Sequence, residues 1–402
     1  MDKDEFAPAA AAGAVPPRAP DAPAPETPGT RLLAPEGSVR LRLAAVGDIG
    51  VVGAATHTAA RKGYPACFAP LQQVFAAADV AFANLEFPVA EAEWLGPAGN
   101  PNFRHEPGIA RALQQAGVRV VSLANNHIMD AGERGLRRTL EACREAGLAT
   151  VGAGLNLAEA REPVRLDVRG QRFVMLGYAA GGLQPEAYDR PGVAPLDLEL
   201  VTEDVKRWRP QADVLVLSVH WGAMYVDQPP AEVVRLAEAM AGLGVDIVLG
   251  HHPHVLQGYR REAGTLTLFS LGEGVFETAS GELKMAWTRE RRRRAGAFIV
   301  EVAQHSGLVI HPMFLDEDGW PQPATGEVER EIVERMQRLS TGWDDPERQF
   351  RENAAGDLVR YELGAIGEFL RRGRFDRVLG LIAKIRPRHF AWFLASLRRR
   401  KR

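Results

Sequence analysis

Three of the ten histidines in this 402-residue chain fall within four positions, as His251, His252 and His254. They follow the largely apolar run Val245-Asp246-Ile247-Val248-Leu249 and the turn residue Gly250. Neutral imidazole is the commonest metal-binding side chain. Two histidines one residue apart can face a single ion when the chain turns between them, and Pro253 stiffens such a turn. Four further apolar runs end in residues with ligand chemistry: Asp48, Glu86, Asn126 with His127, and His220. Together they make a mixed oxygen and nitrogen set. Such a set suits Mn²⁺, Zn²⁺ or Fe rather than Ca²⁺, and the lack of nearby cysteine argues against a structural zinc. There are enough donors for two divalent ions with a carboxylate between them. That arrangement clamps a phosphate and activates a water for in-line attack. His127, beside Asn126, is placed to give a proton to the leaving oxygen.

Taken singly, each residue has an ordinary reading. Asp48 could cap a turn, Asn125 and Asn126 are common turn residues, and His220 could be a packed strand-end histidine. The elements that carry them favour convergence. Strand-like runs near 39–46, 79–83, 118–123, 149–152, 164–168, 172–178, 213–219, 245–249 and 265–270 alternate with helical patterns near 68–77, 107–116, 133–146, 199–208 and 231–243. This alternation predicts an α/β protein with a mostly parallel core sheet. Parallel strands end on one edge, so residues spread over about 200 positions of sequence can meet in one crevice. A hairpin over 296–303 and 307–313 is expected to close the fold, with Arg291–Arg294 as a basic loop lining an approach for an anionic substrate.

Composition sets the outer limits. With 46% hydrophobic and 25% charged residues the chain reads as an ordinary globular protein. A formal net charge of −2 gives no global case for nucleic-acid binding. Cys67 and Cys143 lack ligand spacing and are expected to be buried small apolar residues. No run reaches the ~18 apolar residues of a membrane span. The acidic start Met1-Asp2-Lys3-Asp4-Glu5 lacks the features of a signal peptide, which predicts a cytoplasmic protein. Sixteen of the first 30 residues are Ala or Pro, so residues 1–37 are expected to be a disordered tail. At the other end, 371–402 carries twelve Lys/Arg against Asp376 alone, interleaved with Phe390, Trp392 and Phe393. That pattern suits a helix lying on an anionic membrane face.

The motifs Gly47-Asp48, Asn84-Leu85-Glu86, Ala124-Asn125-Asn126-His127 with Asp130 and Gly132, His220-Trp221-Gly222, and Gly250-His251-His252-Pro253-His254-Val255-Leu256-Gln257 carry a resemblance. In order and spacing, from about residue 41 to 315, they resemble the CapA family of bacterial capsule and poly-γ-glutamate synthesis proteins. That family is a branch of the calcineurin-like metallophosphoesterases. The resemblance implies a four-layer α/β/β/α sandwich over 38–325, followed by a helical, basic extension over 326–402. It implies two divalent metal ions. Asp48 and His254 would serve the first, Asn126, His220 and His252 the second, and Glu86 would bridge or stand close to both. His127 would be the proton donor. Asn84, Asn125 and His251 complete the expected substrate-binding side, with His251 also shaping the loop. Three positions depart from the pattern. Gly50 replaces the His of Asp-x-His, as in the rest of this branch; Met224 replaces a Glu; Glu273-Gly274 replaces Asn-Phe. The function implied is a phosphoesterase-type activity in capsule or exopolymer synthesis, with an anionic polymer or phosphoester as substrate and polymer-synthesis proteins as partners. The alternative is a non-catalytic assembly factor of the same pathway.

Overall fold

The computed structural model of the chain describes residues 29–95, 103–180, 189–276 and 286–354, with scattered positions between 356 and 370. In chain order, the first elements are β1 (Thr30–Leu33), β2 (Leu41–Gly50), α1 (Ala54–Lys62), α2 (Tyr64–Ala76), β3 (Val80–Leu85), α3 (Gly108–Ala116), β4 (Val120–Ser122), α4 (Gly132–Ala146) and β5 (Ala149–Val151). Next come β6 (Ala153–Gly154), α5 (Leu157–Ala160), β7 (Val164–Val168), β8 (Gln171–Ala179), β9 (Gly192–Val193), α6 (Leu198–Trp208), β10 (Val214–His220), α7 (Ala231–Gly242) and β11 (Ile247–His251). The remainder is β12 (Tyr259–Glu262), β13 (Thr265–Leu268), β14 (Glu273–Phe276), α8 (Ala286–Arg293), β15 (Arg294–Val302), β16 (Gly307–Leu315), β17 (Pro321–Pro323), α9 (Gly326–Leu339) and α10 (Pro346–Asn353).

Among the described residues, the strands form two large sheets rather than the single open sheet that alternation alone suggests. The first runs β1-β16-β15-β2-β3-β4-β5, with β14 beside β2 and β17 beside β16. The second runs β12-β13-β11-β10-β8-β7. In each, a parallel centre is flanked by antiparallel strands. Alternating side chains sort the core into three apolar layers. Ala44, Val46, Ala83 and Val121 pack against Phe68, Leu71, Leu113, Leu136 and Cys143 of α2–α4. Leu43, Phe82 and Val120 point the other way, onto Phe173, Val216, Ile247 and Leu249 of the second sheet. The far face of that sheet, with Val174, Leu215 and Val248, is covered by Val201, Val205, Val234 and Met240 of α6 and α7. The order is therefore helix, sheet, sheet, helix. Strands covered on both faces have no polar side to show, which is why they read as unbroken apolar runs.

Three expectations need correction. The segment read as a tail contains a strand: β1 adds an antiparallel edge to β16, and Glu36 bridges to His305. Residues 1–28 lie outside the described residues. Arg291–Arg294 is not a loop. It is the last turn of α8 running directly into β15, and the hairpin made by β15 and β16 follows it. Finally, the helical extension expected from residue 326 begins inside the core. Ile332 and Met336 of α9 are fully buried between the sheets, because the amphipathic stripe seals the open end of the central layer. The helix expected over 357–370 is described only at isolated positions, and 371–402 lies outside the described residues. No described helix is long and apolar enough to cross a membrane. Cys67 and Cys143 are buried and unpaired, and burial pushes the Cys143 thiol up to about 12.

Candidate metal centre

Both sheets deliver their parallel strand ends to one place. Asp48 leaves β2, Glu86 leaves β3, and Asn125–His127 follow β4 in the first sheet. His220 ends β10 and His251–His254 leave β11 in the second. The backbone is forced close here. A Cβ on Gly47 would stand 1.8 Å from the Gly272 carbonyl oxygen, which accepts the Asp48 N–H at 3.0 Å. Only glycine lets β2 and β14 approach so nearly.

Two groups of donors result. In the first, one ligand atom each from Asp48, Glu86 and His254 lies within 4.8 Å of the others, and all three side chains are buried. His254 Nδ1 is 3.5 Å from Asp48 Oδ2, and its Nε2 is 3.6 Å from Glu86 Oε1. In the second group, His220 Nε2 lies 2.7 Å from Asn126 Oδ1 and 3.1 Å from His252 Nδ1. The His252 N–H approaches Asp48 Oδ2 at 3.4 Å, so the two groups abut. Ligands bound at about 2.0–2.2 Å to one ion stand about 3–3.5 Å apart, which is the spacing found here. The loop that presents the histidines is strained. His252 and His254 have φ of 96° and 57°, and Tyr225, whose ring centroid is 5.8 Å from that of His254, has 63°. Non-glycine residues at positive φ cost about 1–3 kcal/mol each and collect at functional sites.

The donor set also passes a test of need. Among the described residues, both Glu86 carboxylate oxygens, Glu273 Oε2, His254 Nδ1 and His220 Nδ1 are buried without a hydrogen-bond partner. Burial, with the neighbouring Asp48 charge, pushes the Glu86 carboxyl well above its usual range, and burial brings Glu273 up to about 8. Burial lowers His252 to about 4 and His254 to about 3, and lowers His220 well below its ordinary value. Neutral imidazoles and carboxylates short of positive charge are the state in which these groups accept a divalent cation. The residues fit a metal centre.

The other residues singled out in the sequence have definite places. Asn84 Nδ2 donates to Asp48 Oδ1 at 2.8 Å, and Asn125 Nδ2 donates to Asn84 Oδ1 and to the Leu85 carbonyl. Asn125 Oδ1 accepts the N–H groups of His127 and Ile128. Both asparagines thus hold ligands and loop in place from within the scaffold. His251 is buried under Asp48, with Nδ1 3.2 Å from Oδ1 and its ring against Phe82. His127 is partly open. Its ring lies between Phe87 and Phe103, and Nδ1 meets Asp130 Oδ2 at 2.7 Å. Met224 contributes no donor to either group.

Sequence reasoning passed over His105, Glu273 as a candidate ligand, and Arg292. His105 is fully buried, takes the Val51 N–H on Nε2 and meets the Phe87 carbonyl through Nδ1, tying the β2 and β3 exits together. Nothing in its exposed-looking sequence context marks it. Arg292 was hidden within the basic run.

The missing His of Asp-x-His has a steric account. A Cβ on Gly50 would lie 2.7 Å from ring carbons of both Phe87 and Phe276. Gly50→His is therefore expected to lower the melting temperature without adding an ion, since overpacking a core costs about 1–3 kcal/mol or more. A stable variant with raised metal stoichiometry would contradict this.

A four-layer α/β/β/α fold with carboxylates, an asparagine and histidines gathered at its strand exits is metallophosphoesterase-like. Within that class the chain belongs to the bacterial capsule synthesis protein family PGA_cap, whose model matches residues 42–278. It is 28% identical to the capsule biosynthesis protein CapA of Bacillus anthracis, over 74% of this chain and 72% of that one. Against the PGA biosynthesis protein CapA of Bacillus subtilis the identity is 31%, over 61% and 64%. A "Probable polyglutamine synthesis accessory protein" of Mycobacterium tuberculosis is 32% identical over 50% and 56%.

Proposed function

We propose that this protein is a metal-dependent phosphoesterase acting in the synthesis of an anionic capsule or exopolymer. The observation that carries the chemical part is the convergence of Asp48, Glu86, His254, Asn126, His220 and His252, with buried oxygens and nitrogens that lack partners. The pathway part is supported by the names of the relatives, which concern capsule and PGA synthesis. Asp48 and His254, with Glu86 beside them, would hold one divalent ion; Asn126, His220 and His252 would hold a second. When bound, the ions supply Lewis-acid charge that polarises a phosphoryl group and makes water more acidic. The protein's own groups do the rest. Asn84 and Asn125 keep Asp48 and the His127 loop in register. Asp130 fixes the His127 ring through Nδ1, which leaves Nε2 to hold the proton delivered to the leaving oxygen. Phe87 and Phe103 restrict the ring to that orientation.

The test is hydrolysis of generic phosphomonoesters and phosphodiesters by the chelated protein after addition of Mn²⁺ or Zn²⁺. Turnover that appears with metal and vanishes with chelator is expected. No turnover with any ion, together with a metal-free protein by elemental analysis, would leave the non-catalytic assembly factor as the function. The basic segment 371–402 is assigned peripheral contact with an anionic membrane face. Liposome flotation should weaken when it is deleted, and equal flotation of both forms would remove that assignment.

A further inference from the structure

The first ion position is short of donors. Asp48, Glu86 and His254 make three, and Phe87 and Phe276 fill the space from which a side chain at position 50 would reach in. The opposite side of β2 is different. There β14 runs parallel to it, with Glu273 in register with Asp48. Glu273 is fully buried, and its Oε1 lies 3.5 Å from His254 Nδ1, the nitrogen that is also 3.5 Å from Asp48 Oδ2. Arg292 grips that same Oε1 with Nε at 2.8 Å and Nη2 at 2.7 Å. Oε2 has no hydrogen-bond partner among the described residues.

A salt bridge made only for stability would use both carboxylate oxygens against the guanidinium fork. Here both donors converge on one oxygen and leave the other. Arg292 is itself buried, and its guanidinium carbon lies 5.1 Å from the Tyr225 ring centroid and 5.6 Å from that of Phe276. Its orientation is therefore set by packing. Three carboxylates and one guanidinium carry a formal charge of −2, which one divalent ion neutralises; without it the buried like charges repel one another.

We propose that Glu273 is a ligand of the first ion, offering Oε2, and that Arg292 is the positioning residue that holds it there. This rests on the metal-centre reading above. It makes the two positions chemically unequal. The first has three carboxylates and one imidazole, a harder set that favours Mn²⁺ or Fe²⁺. The second has two imidazoles and an amide oxygen, which suit Zn²⁺ better.

The full-length protein, stripped with chelator, is titrated with MnCl₂ and separately with ZnSO₄ by calorimetry, with bound Mn²⁺ counted by electron paramagnetic resonance. Two ions are expected for the wild type. Glu273→Gln should weaken one Mn²⁺ site by about 10–100-fold and change Zn²⁺ binding less. Arg292→Gln should weaken the same site, and adding it to Glu273→Gln should change little further, because Arg292 acts through Glu273. Should Gln fold poorly, Glu273→Asp keeps the charge, shortens the reach and is expected to show a smaller loss at the same site. Folded Glu273 variants that bind both Mn²⁺ ions as tightly as wild type would overturn the assignment while leaving the metal centre intact. A wild type that binds no ion would overturn the centre and the assignment together.

Discussion

Asp48→Asn is expected to abolish metal-dependent hydrolysis and, with it, the rise in melting temperature that divalent ions give the wild type. Asp48 is fully buried and lies at the meeting point of both donor groups. Its oxygens receive the Asn84 amide and approach the His252 N–H, His251 Nδ1 and His254 Nδ1 at 2.8–3.5 Å. Asparagine has nearly the same shape, so the pocket keeps its packing and one amide oxygen still accepts a hydrogen bond. What disappears is a negative charge beside the ion. An ion present at 100 times its dissociation constant stabilises a folded protein by about 2.7 kcal/mol, and that increment is what the variant loses. In chelator the variant is expected to melt at or above the wild-type temperature, since three buried carboxylates become two. Thermal melts of both proteins with chelator and with MnCl₂ decide the matter. An unchanged metal-dependent shift in Asp48→Asn would show that the ion binds elsewhere.

This opposition between charge and fold explains which parts of the site were legible in the sequence. Asp48, Glu86, Asn126, His220 and the His251–His254 cluster each stand at the end of an apolar run. A polar residue there has left the core, and parallel strands share one edge, so convergence could be argued before any coordinate was known. Two facts were not legible. The first is that these ends come from two sheets. A strand covered on both faces is uniformly apolar whether it sits in one open sheet or in either half of a sandwich, and only the CapA-like motifs pointed to four layers. The second is the Glu273–Arg292 pair. In sequence Arg292 is one of four consecutive arginines, and such a run ordinarily marks a solvated segment. Its neighbours fit that pattern only in part: Arg291 pairs with Asp227 and Asp357, and Arg294 with Glu290 and Glu331. Arg292 alone turns inward to a buried carboxylate. Helix phase over one turn decides this, and a four-residue homopolymer carries no phase. The positive φ at His252 and His254 was equally hidden, because histidine does not advertise that conformation as glycine does.

His127→Ala is expected to lower kcat by about 10²–10⁴-fold on substrates with basic leaving groups, and much less on activated esters whose leaving oxygen needs no proton. The difference follows from the ring's position. His127 stands just outside both donor groups, its N–H is held by Asn125 Oδ1, and its Nδ1 is engaged by Asp130. It has no ion to bind, so its removal should leave metal stoichiometry at the wild-type value. That separates it from every residue of the two donor groups. Asp130→Asn tests the orientation directly. The amide oxygen can still accept from Nδ1–H, so the ring stays in place, but the charge that favours a protonated imidazole is lost. A fall smaller than that of His127→Ala, with the same dependence on leaving group, is expected. Measuring kcat against a series of phenyl and alkyl phosphates, with bound metal counted in each variant, separates the roles. Should His127→Ala lose activity equally on all leaving groups, or lose an ion, the ring would be a structural or ligating group and the leaving oxygen would take its proton from water.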